Sequence, residues 1–322
     1  MEPEDLQLTN SSEVPHNVPV TGNDSSINRA MQVSSIVIYV VTCILGVLGN
    51  GLVIWATGFK LKRTAYTVWL LSLAMVDFTF SLVLPLSITE LALGYHWPFG
   101  WLLCKVHFWM LSLCEHASIF TLVAISVDRC ISVVLPVWSR NHRCPRLSAL
   151  LSLGVWVVAA FLSAPAFVFH QLVLQGNRTL CDTMFMPEAW YQALILKFFL
   201  SAFLLPFLVI AASYTIISLR LRWGRLVPSG GKPFRVMAAI ILAFLLCWAP
   251  YNICSILVLL QPRSEPLPLP LSVGMRLSYS LAYFNSIINP ILYIFMWQDF
   301  TDLLKKSIQR VNNQGDSTQS NL

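Results

Sequence analysis

Apolar residues fall into seven long, nearly unbroken runs, over residues 34–57, 65–89, 106–127, 147–169, 198–219, 236–260 and 277–298. Each has the length a helix needs to cross a hydrocarbon layer of roughly 30 Å, which takes about 20 residues. Lipid offers backbone N–H and C=O groups no partners, so runs of this kind must be helical. Five of them hold no Asp, Glu, Lys or Arg; the second holds only Asp77 and the third only Glu115. The pattern predicts an all-α membrane protein, a seven-transmembrane helix bundle over residues 34–298. An acidic tail, 1–33, precedes it and is too poor in apolar residues to build a core. The first span is expected to serve as its own uncleaved insertion signal. The remaining residues, 299–322, open with a short amphipathic eighth helix, Lys305 and Lys306 facing lipid headgroups, and end in a cytoplasmic tail.

The loops orient the bundle, because Lys and Arg collect on the cytoplasmic side. One set of connections carries fourteen of them, from Lys60 to Arg310; the other, with the N-terminal tail, carries Arg29, Arg178 and Arg263. The N-terminus is therefore expected outside and the C-terminus inside the plasma membrane. Three Asn-x-Ser/Thr triplets, at Asn10, Asn23 and Asn177, all lie on the outer side and are candidate glycosylation sites. Cys104 opens the third span on that side and Cys181 lies in the loop before the fifth. Both face an oxidising compartment, and a disulfide between them would contribute about 2–4 kcal/mol.

Composition narrows the function. The chain is 56% hydrophobic and 11% charged, against roughly 25% charged for a soluble domain. Its net charge of +6 is scattered in short clusters between apolar runs, so no basic face assembles and nucleic acid is excluded as a partner. No Cys-x-x-Cys pair, zinc-type His/Cys cluster or glycine-rich phosphate loop occurs. No nucleophile and base converge at one depth, so an enzyme is not expected and no organic cofactor is implied.

The polar residues inside the spans carry the chemistry, since a mid-span charge costs roughly 2.5–3.5 kcal/mol. Asp77 lies halfway along the second span. Asn285 and Asn289 lie one helical turn apart on the seventh, and with Ser118 they offer oxygens for a small hard cation such as sodium, or for an interhelical hydrogen-bond network. Asp128 and Arg129 close the third span, where adjacent opposite charges can pair at rest and part when the bundle opens. Pro85, Pro165, Pro206, Pro250 and Pro290 interrupt five spans, each removing a backbone hydrogen bond.

Short motifs recur one per span: Gly49-Asn50; Leu73-Ala74 with Asp77; Asp128-Arg129-Cys130; Trp156; Pro206 with Tyr214; Cys247-Trp248-Ala249-Pro250; and Asn289-Pro290-Ile291-Leu292-Tyr293. Together they resemble a rhodopsin-like G-protein-coupled receptor along nearly the whole chain. The stretches Leu45 to Trp55, His96 to Trp101, Pro136-Val137-Trp138, Asn141-His142-Arg143 and Phe284-Asn285-Ser286 are similar to the chemoattractant branch, and above all to formyl peptide receptors. The fifth span and its exit, through Ser218 to Arg222, are similar to the chemoattractant prostaglandin D receptor. The resemblance implies that Arg129 engages a heterotrimeric G protein, with Tyr214 and Tyr293 supporting the open state. It implies Trp248 as a toggle beneath the ligand, Ile119, Pro206 and Phe244 as a packing switch, and a sodium pocket of Asp77, Ser118, Asn285 and Asn289 that favours the resting state; the proline kinks at Pro250 and Pro290 are by themselves candidate hinges. The branch couples generally to inhibitory G proteins, and the basic loop from Arg220 to Arg235 suits such a partner.

Formyl peptide receptors carry an acidic residue in the outer third helix and two arginines in the outer fifth. Ser112, Leu194 and Phe198 stand at the matching positions. The candidate ligand set here is Ser112, Glu115, His116, His170, Lys197, Trp248, Tyr251 and Arg276. A peptide would meet Glu115 with a cationic group and Lys197 and Arg276 with a carboxylate; an acidic lipid such as a prostanoid would use Lys197, His170 and Tyr251. Lys197 and Arg276 have a plainer alternative as interfacial residues whose charge reaches headgroups. A seven-helix transporter or pump is the competing class, but no repeated discontinuous helices occur and the seventh span has no lysine for a retinal Schiff base. The tail offers only Ser307, Ser317, Thr318 and Ser320 for phosphorylation, so weak arrestin recruitment is expected.

Overall fold

The computed structural model describes residues 22–183, 187–223, 231–261 and 267–296. The chain forms helices α1 (Gly22–Trp55), α2 (Ala65–Ala92), α3 (Gly100–Val134), α4 (Pro136–His142) and α5 (Pro145–Phe169), then strands β1 (Gln171–Gln175) and β2 (Arg178–Asp182). Helices α6 (Glu188–Phe198), α7 (Leu205–Trp223), α8 (Gly231–Leu259) and α9 (Leu269–Met296) follow. π-Helical turns close α1, at Ala56–Lys60, and join α6 to α7, at Phe199–Leu204, so that α6 and α7 make one continuous rod. The seven predicted spans correspond to α1, α2, α3, α5, α6 with α7, α8 and α9. Helix α1 begins twelve residues ahead of the predicted span, so part of the acidic tail is helical. Residues 299–308, expected to form the amphipathic helix, lie outside the described residues, as does Asn10.

Sequence explains the helix ends. Thr64 and Thr67 form a reciprocal capping box at the start of α2, satisfying two of the N–H groups that the first turn leaves without partners. Proline opens both α4 and α5, where its missing N–H costs nothing.

Proline inside a span is another matter, and Pro290 shows how the loss is repaired. A proline at this position frees the carbonyl of Ser286, four residues earlier. Asn50 of α1 donates its Nδ2 to that carbonyl at 2.9 Å, and to its own helix at Gly46 O at 3.0 Å. The approach depends on Gly49, where an added Cβ would sit 3.0 Å from the Pro290 ring. The Gly49-Asn50 motif and the Asn289-Pro290 motif are therefore two halves of one joint between α1 and α9.

The outer end is closed by an element the hydropathy pattern did not reveal. Strands β1 and β2 pair antiparallel, with Leu172 opposite Cys181, around a turn in which Gly176 has φ +59° and Asn177 is exposed. A disulfide joins Cys181 to Cys104 at the head of α3. Trp97 is buried beneath it, with its backbone N–H on Thr179 O at 2.7 Å and its indole N–H on Gly100 O at 3.0 Å. The hairpin is thus bolted to the loop between α2 and α3, which contains His96 to Trp101.

Candidate functional site

A cavity of about 280 Å³ opens between α3, α5, α6, α8 and α9 beneath the hairpin. Ser112 and Glu115 of α3, His170, Lys197, and Trp248 and Tyr251 of α8 line it. Two members of the candidate ligand set lie elsewhere. Arg276 places its guanidinium 5.9 Å from the Tyr95 ring, near the end of α2. His116 points away from the cavity into the seam between α3, α5 and α6, where it is fully buried.

His116 nevertheless shapes the site. Its Nδ1–H donates to Ser112 O at 2.8 Å, since a carbonyl can only accept, so Nε2 is the acceptor. Ser201 and the Lys197 ammonium approach that nitrogen at 3.3 and 3.4 Å. Lys197 also donates to the Leu162 carbonyl of α5. It therefore faces inward rather than reaching for headgroups. Two of its three N–H donors are directed at protein, and its charge faces Glu115. Glu115 does not pair with His116, and its Oε1 is buried with no hydrogen-bond partner among the described residues.

His170 stacks on Phe108, ring centroids 4.0 Å apart, and donates Nδ1–H to Ala166 O at 2.8 Å. Burial pushes its imidazole below the usual range. The floor is aromatic: Trp248 and Phe198 each lie 6.0 Å from Tyr251, edge to face, and Tyr279 lies 4.7 Å from it. Tyr279 and Tyr283, one turn apart on α9, line the cavity and were not singled out from sequence. Their spacing on a span that also carries Asn285 and Asn289 was the available signal.

Below the cavity, Ile119 is fully buried in one cluster with Trp248, and Pro206 is buried on α7. Pro250 lies inside α8, two residues beyond Trp248. Deeper still, Asn289 donates to Asp77 Oδ2 at 2.7 Å. Asp77, Ser118, Asn285 and Asn289 are all buried, and Ser118 Oγ, Asn285 Oδ1 and Asn289 Oδ1 have no hydrogen-bond partner among the described residues. A carboxylate, two amides and a hydroxyl form an all-oxygen donor set that fits a small hard cation.

At the far end of α3 the predicted pairing changes. Asp128 binds Arg143 rather than Arg129: Arg143 Nε lies 2.8 Å from Oδ1 and Nη2 lies 2.5 Å from Oδ2. The fork matches the carboxylate, which neighbouring side chains on one helix cannot achieve, since residues i and i+1 point in different directions. Arg129 instead lies over the Tyr66 ring of α2, 4.7 Å from its centroid. Tyr214 is within electrostatic reach of it. The side chains of Phe244 and Tyr293 lie outside the described residues, as does that of Asn23.

Seven apolar helices pack with a cavity among them and ionisable groups at three depths, the architecture of a helical membrane bundle. The profile of the 7 transmembrane receptor (rhodopsin family) matches residues 49–293, and the chain belongs to that family. It is 40% identical over 291 residues to the chemerin-like receptor 1 of Sus scrofa, covering 84% of this chain and 79% of that one. It is 39% identical over 284 residues to the C3a anaphylatoxin chemotactic receptor of Danio rerio (87% and 77%) and 36% identical over 297 residues to formyl peptide receptor 2 of Mus musculus (87% and 84%). These relatives put it in the chemoattractant branch, as a multi-pass membrane protein and not an enzyme.

Proposed function

We propose that this receptor sits in the plasma membrane with its N-terminus outside, binds an extracellular peptide through the cavity above Trp248, and activates an inhibitory heterotrimeric G protein. The observation that carries the peptide reading is the pairing of opposite functions in one small cavity. Lys197 suits a carboxylate, while Glu115 holds a buried oxygen without a partner among the described residues, ready for a cationic or N–H group. A peptide terminus offers both. An acidic lipid offers only the first. Relatives named for chemerin, the C3a anaphylatoxin and formyl peptides fit the same reading. Orientation rests on the Lys and Arg distribution and on the exposed Asn177 triplet at the hairpin tip.

Agonists act by binding the open bundle better than the closed one. Contacts on the aromatic floor would move Trp248 against Ile119, and a sodium ion among Asp77, Ser118, Asn285 and Asn289 would favour the closed form. A panel of formylated peptides, proteolytic peptides and eicosanoids, read as lowered cyclic AMP, tests the reading. Lys197→Glu should raise the effective concentration of a peptide agonist roughly tenfold or more, the loss of one charge-assisted contact of about 1.5–3 kcal/mol. Glu115→Gln should weaken only agonists bearing a basic or amine group. A response to eicosanoids alone, indifferent to Glu115→Gln, would establish the lipid reading instead. Pertussis toxin should abolish the signal, and a toxin-insensitive response would refute inhibitory coupling.

A further inference from the structure

A second and larger hollow, about 650 Å³, lies on the outside of the bundle between α3, α4 and α5. It is unlike the ligand cavity in every respect that bears on its occupant. Its walls are apolar, with Val123 and Val127 from α3 facing Leu151 and Val158 from α5. Leu150, Leu151 and Val158 are 66%, 51% and 51% exposed on a membrane-spanning helix, so the hollow opens to hydrocarbon rather than to water. Gly154 forms part of the wall, and a Cβ added there would meet nothing within 4 Å. The groove is therefore wide at its middle because a side chain is missing there.

One end of the groove is polar, and its charge has a single sign to spare. Asp128 and Arg143 close it, with the stacked Trp138 and His142 rings, 4.7 Å apart, beside them. Arg140 and Arg146 lie three residues to either side of Arg143 in the chain, both exposed, and residues 129–181 contain no Asp or Glu. Among the described residues Asp128 is the one carboxylate lining the groove, and it is taken up by Arg143. The outer edge of Arg143 remains 24% exposed.

We propose that this groove is a site for an anionic phospholipid of the surrounding leaflet, one acyl chain lying along Gly154 and the phosphate-bearing headgroup seated on Arg143 with Arg140 and Arg146 around it. The chemistry selects this occupant. A sterol would fill the apolar walls but bring no anion to the arginines. A zwitterionic phospholipid brings a phosphate but no net negative charge to the same arginines. A free fatty acid brings a single carboxylate, where a headgroup with two anionic centres has charge for Arg143 and for a neighbouring arginine as well. The site rests on the proposed orientation only in that the Arg143 end must face the leaflet rich in anionic lipid. A headgroup on Arg143 competes with Asp128 for the guanidinium fork, so occupancy loosens the Asp128 contact, one residue from Arg129.

The test uses the full-length receptor, purified, stripped of lipid and titrated with dioleoylphosphatidylserine, dioleoylphosphatidylcholine, cholesterol or oleate, with bound lipid counted by native mass spectrometry. The wild type should retain the serine lipid about fivefold over the choline lipid, the preference expected of one cationic contact near the bilayer surface. Gly154→Phe, which fills the groove and leaves the arginines, and Arg143→Gln, which leaves the groove and removes its fork, should each bring the two lipids close to parity. Leu151→Trp is a second occluding variant, on a half-exposed position, should Gly154→Phe lower the melting temperature. Equal retention in the wild type would overturn the site. So would an undiminished preference in both folded occluding variants, or displacement of the serine lipid by equimolar cholesterol or oleate. Since binding is counted without agonist or G protein, these outcomes do not depend on the receptor's ligand or coupling.

Discussion

Replacing Arg143 by alanine should raise agonist-free signalling. Arg143 grips Asp128 through two charge-assisted contacts, at 2.8 and 2.5 Å, with side chains 24% and 17% exposed. Fully exposed ion pairs contribute about 0.2–1 kcal/mol, and hydrogen bonds to charged groups about 1.5–3 kcal/mol when shielded. Partial exposure puts this pair between them, at about 1–1.5 kcal/mol. The contact holds α3 to the far end of α4, one residue from Arg129. If it is made only in the closed form, its loss raises the open fraction about five- to tenfold, since roughly 1.4 kcal/mol is a factor of ten. The measurement is GTPγS binding to membranes without agonist, at matched surface expression. Asp128→Asn should act in the same direction, and the double substitution should add little to either single one, because both remove one interaction. Unchanged or lower basal binding with Arg143→Ala, or full additivity of the pair, would refute the assignment of Asp128–Arg143 as the resting lock.

Two further outcomes follow from the buried polar groups. Asn50→Ala strands the Ser286 carbonyl that Pro290 has freed, at a cost of about 1–3 kcal/mol, and should lower the melting temperature in detergent. Pro290→Ala restores the missing N–H, so the double variant should melt higher than Asn50→Ala alone; a lower value would show that Asn50 does not repair the kink. Asp77→Asn should remove the effect of replacing choline by sodium on both melting temperature and agonist affinity, and a sodium effect of undiminished size would remove Asp77 from any cation site.

Much of the bundle was legible because lipid is an unforgiving solvent: a run of twenty apolar residues in it has one backbone solution. The hairpin was not read, although Gly176-Asn177 between Leu172 to Leu174 and Thr179 to Cys181 is a turn signal between alternating runs. Its twelve residues are too short to register against spans twice that length. The disulfide was readable because topology confined two cysteines to one side of the membrane. In the site, depth along each helix could be counted, and Asp77 with Asn289 came together as depth and face required. Azimuth could not be counted where helices pack irregularly. The π-helical turn at Phe199–Leu204 follows directly after Lys197 and Phe198, so a straight helical wheel gives no secure direction for Lys197. Its approach to Leu162 and His116 is a contact of three helices.

By itself, the order of residues determined how many times this chain crosses a membrane, which end of the bundle is basic, and which polar groups must be buried, since each follows from transfer between water and oil acting on one segment at a time. Only the tertiary structure decided which of those buried groups are partners. Asp128 reaches past its neighbour Arg129 to Arg143, Asn50 answers for a proline 240 residues away, and His116 turns its back on Glu115, because a hydrogen bond depends on where two helices touch, and that is a property of the packed bundle rather than of any one span.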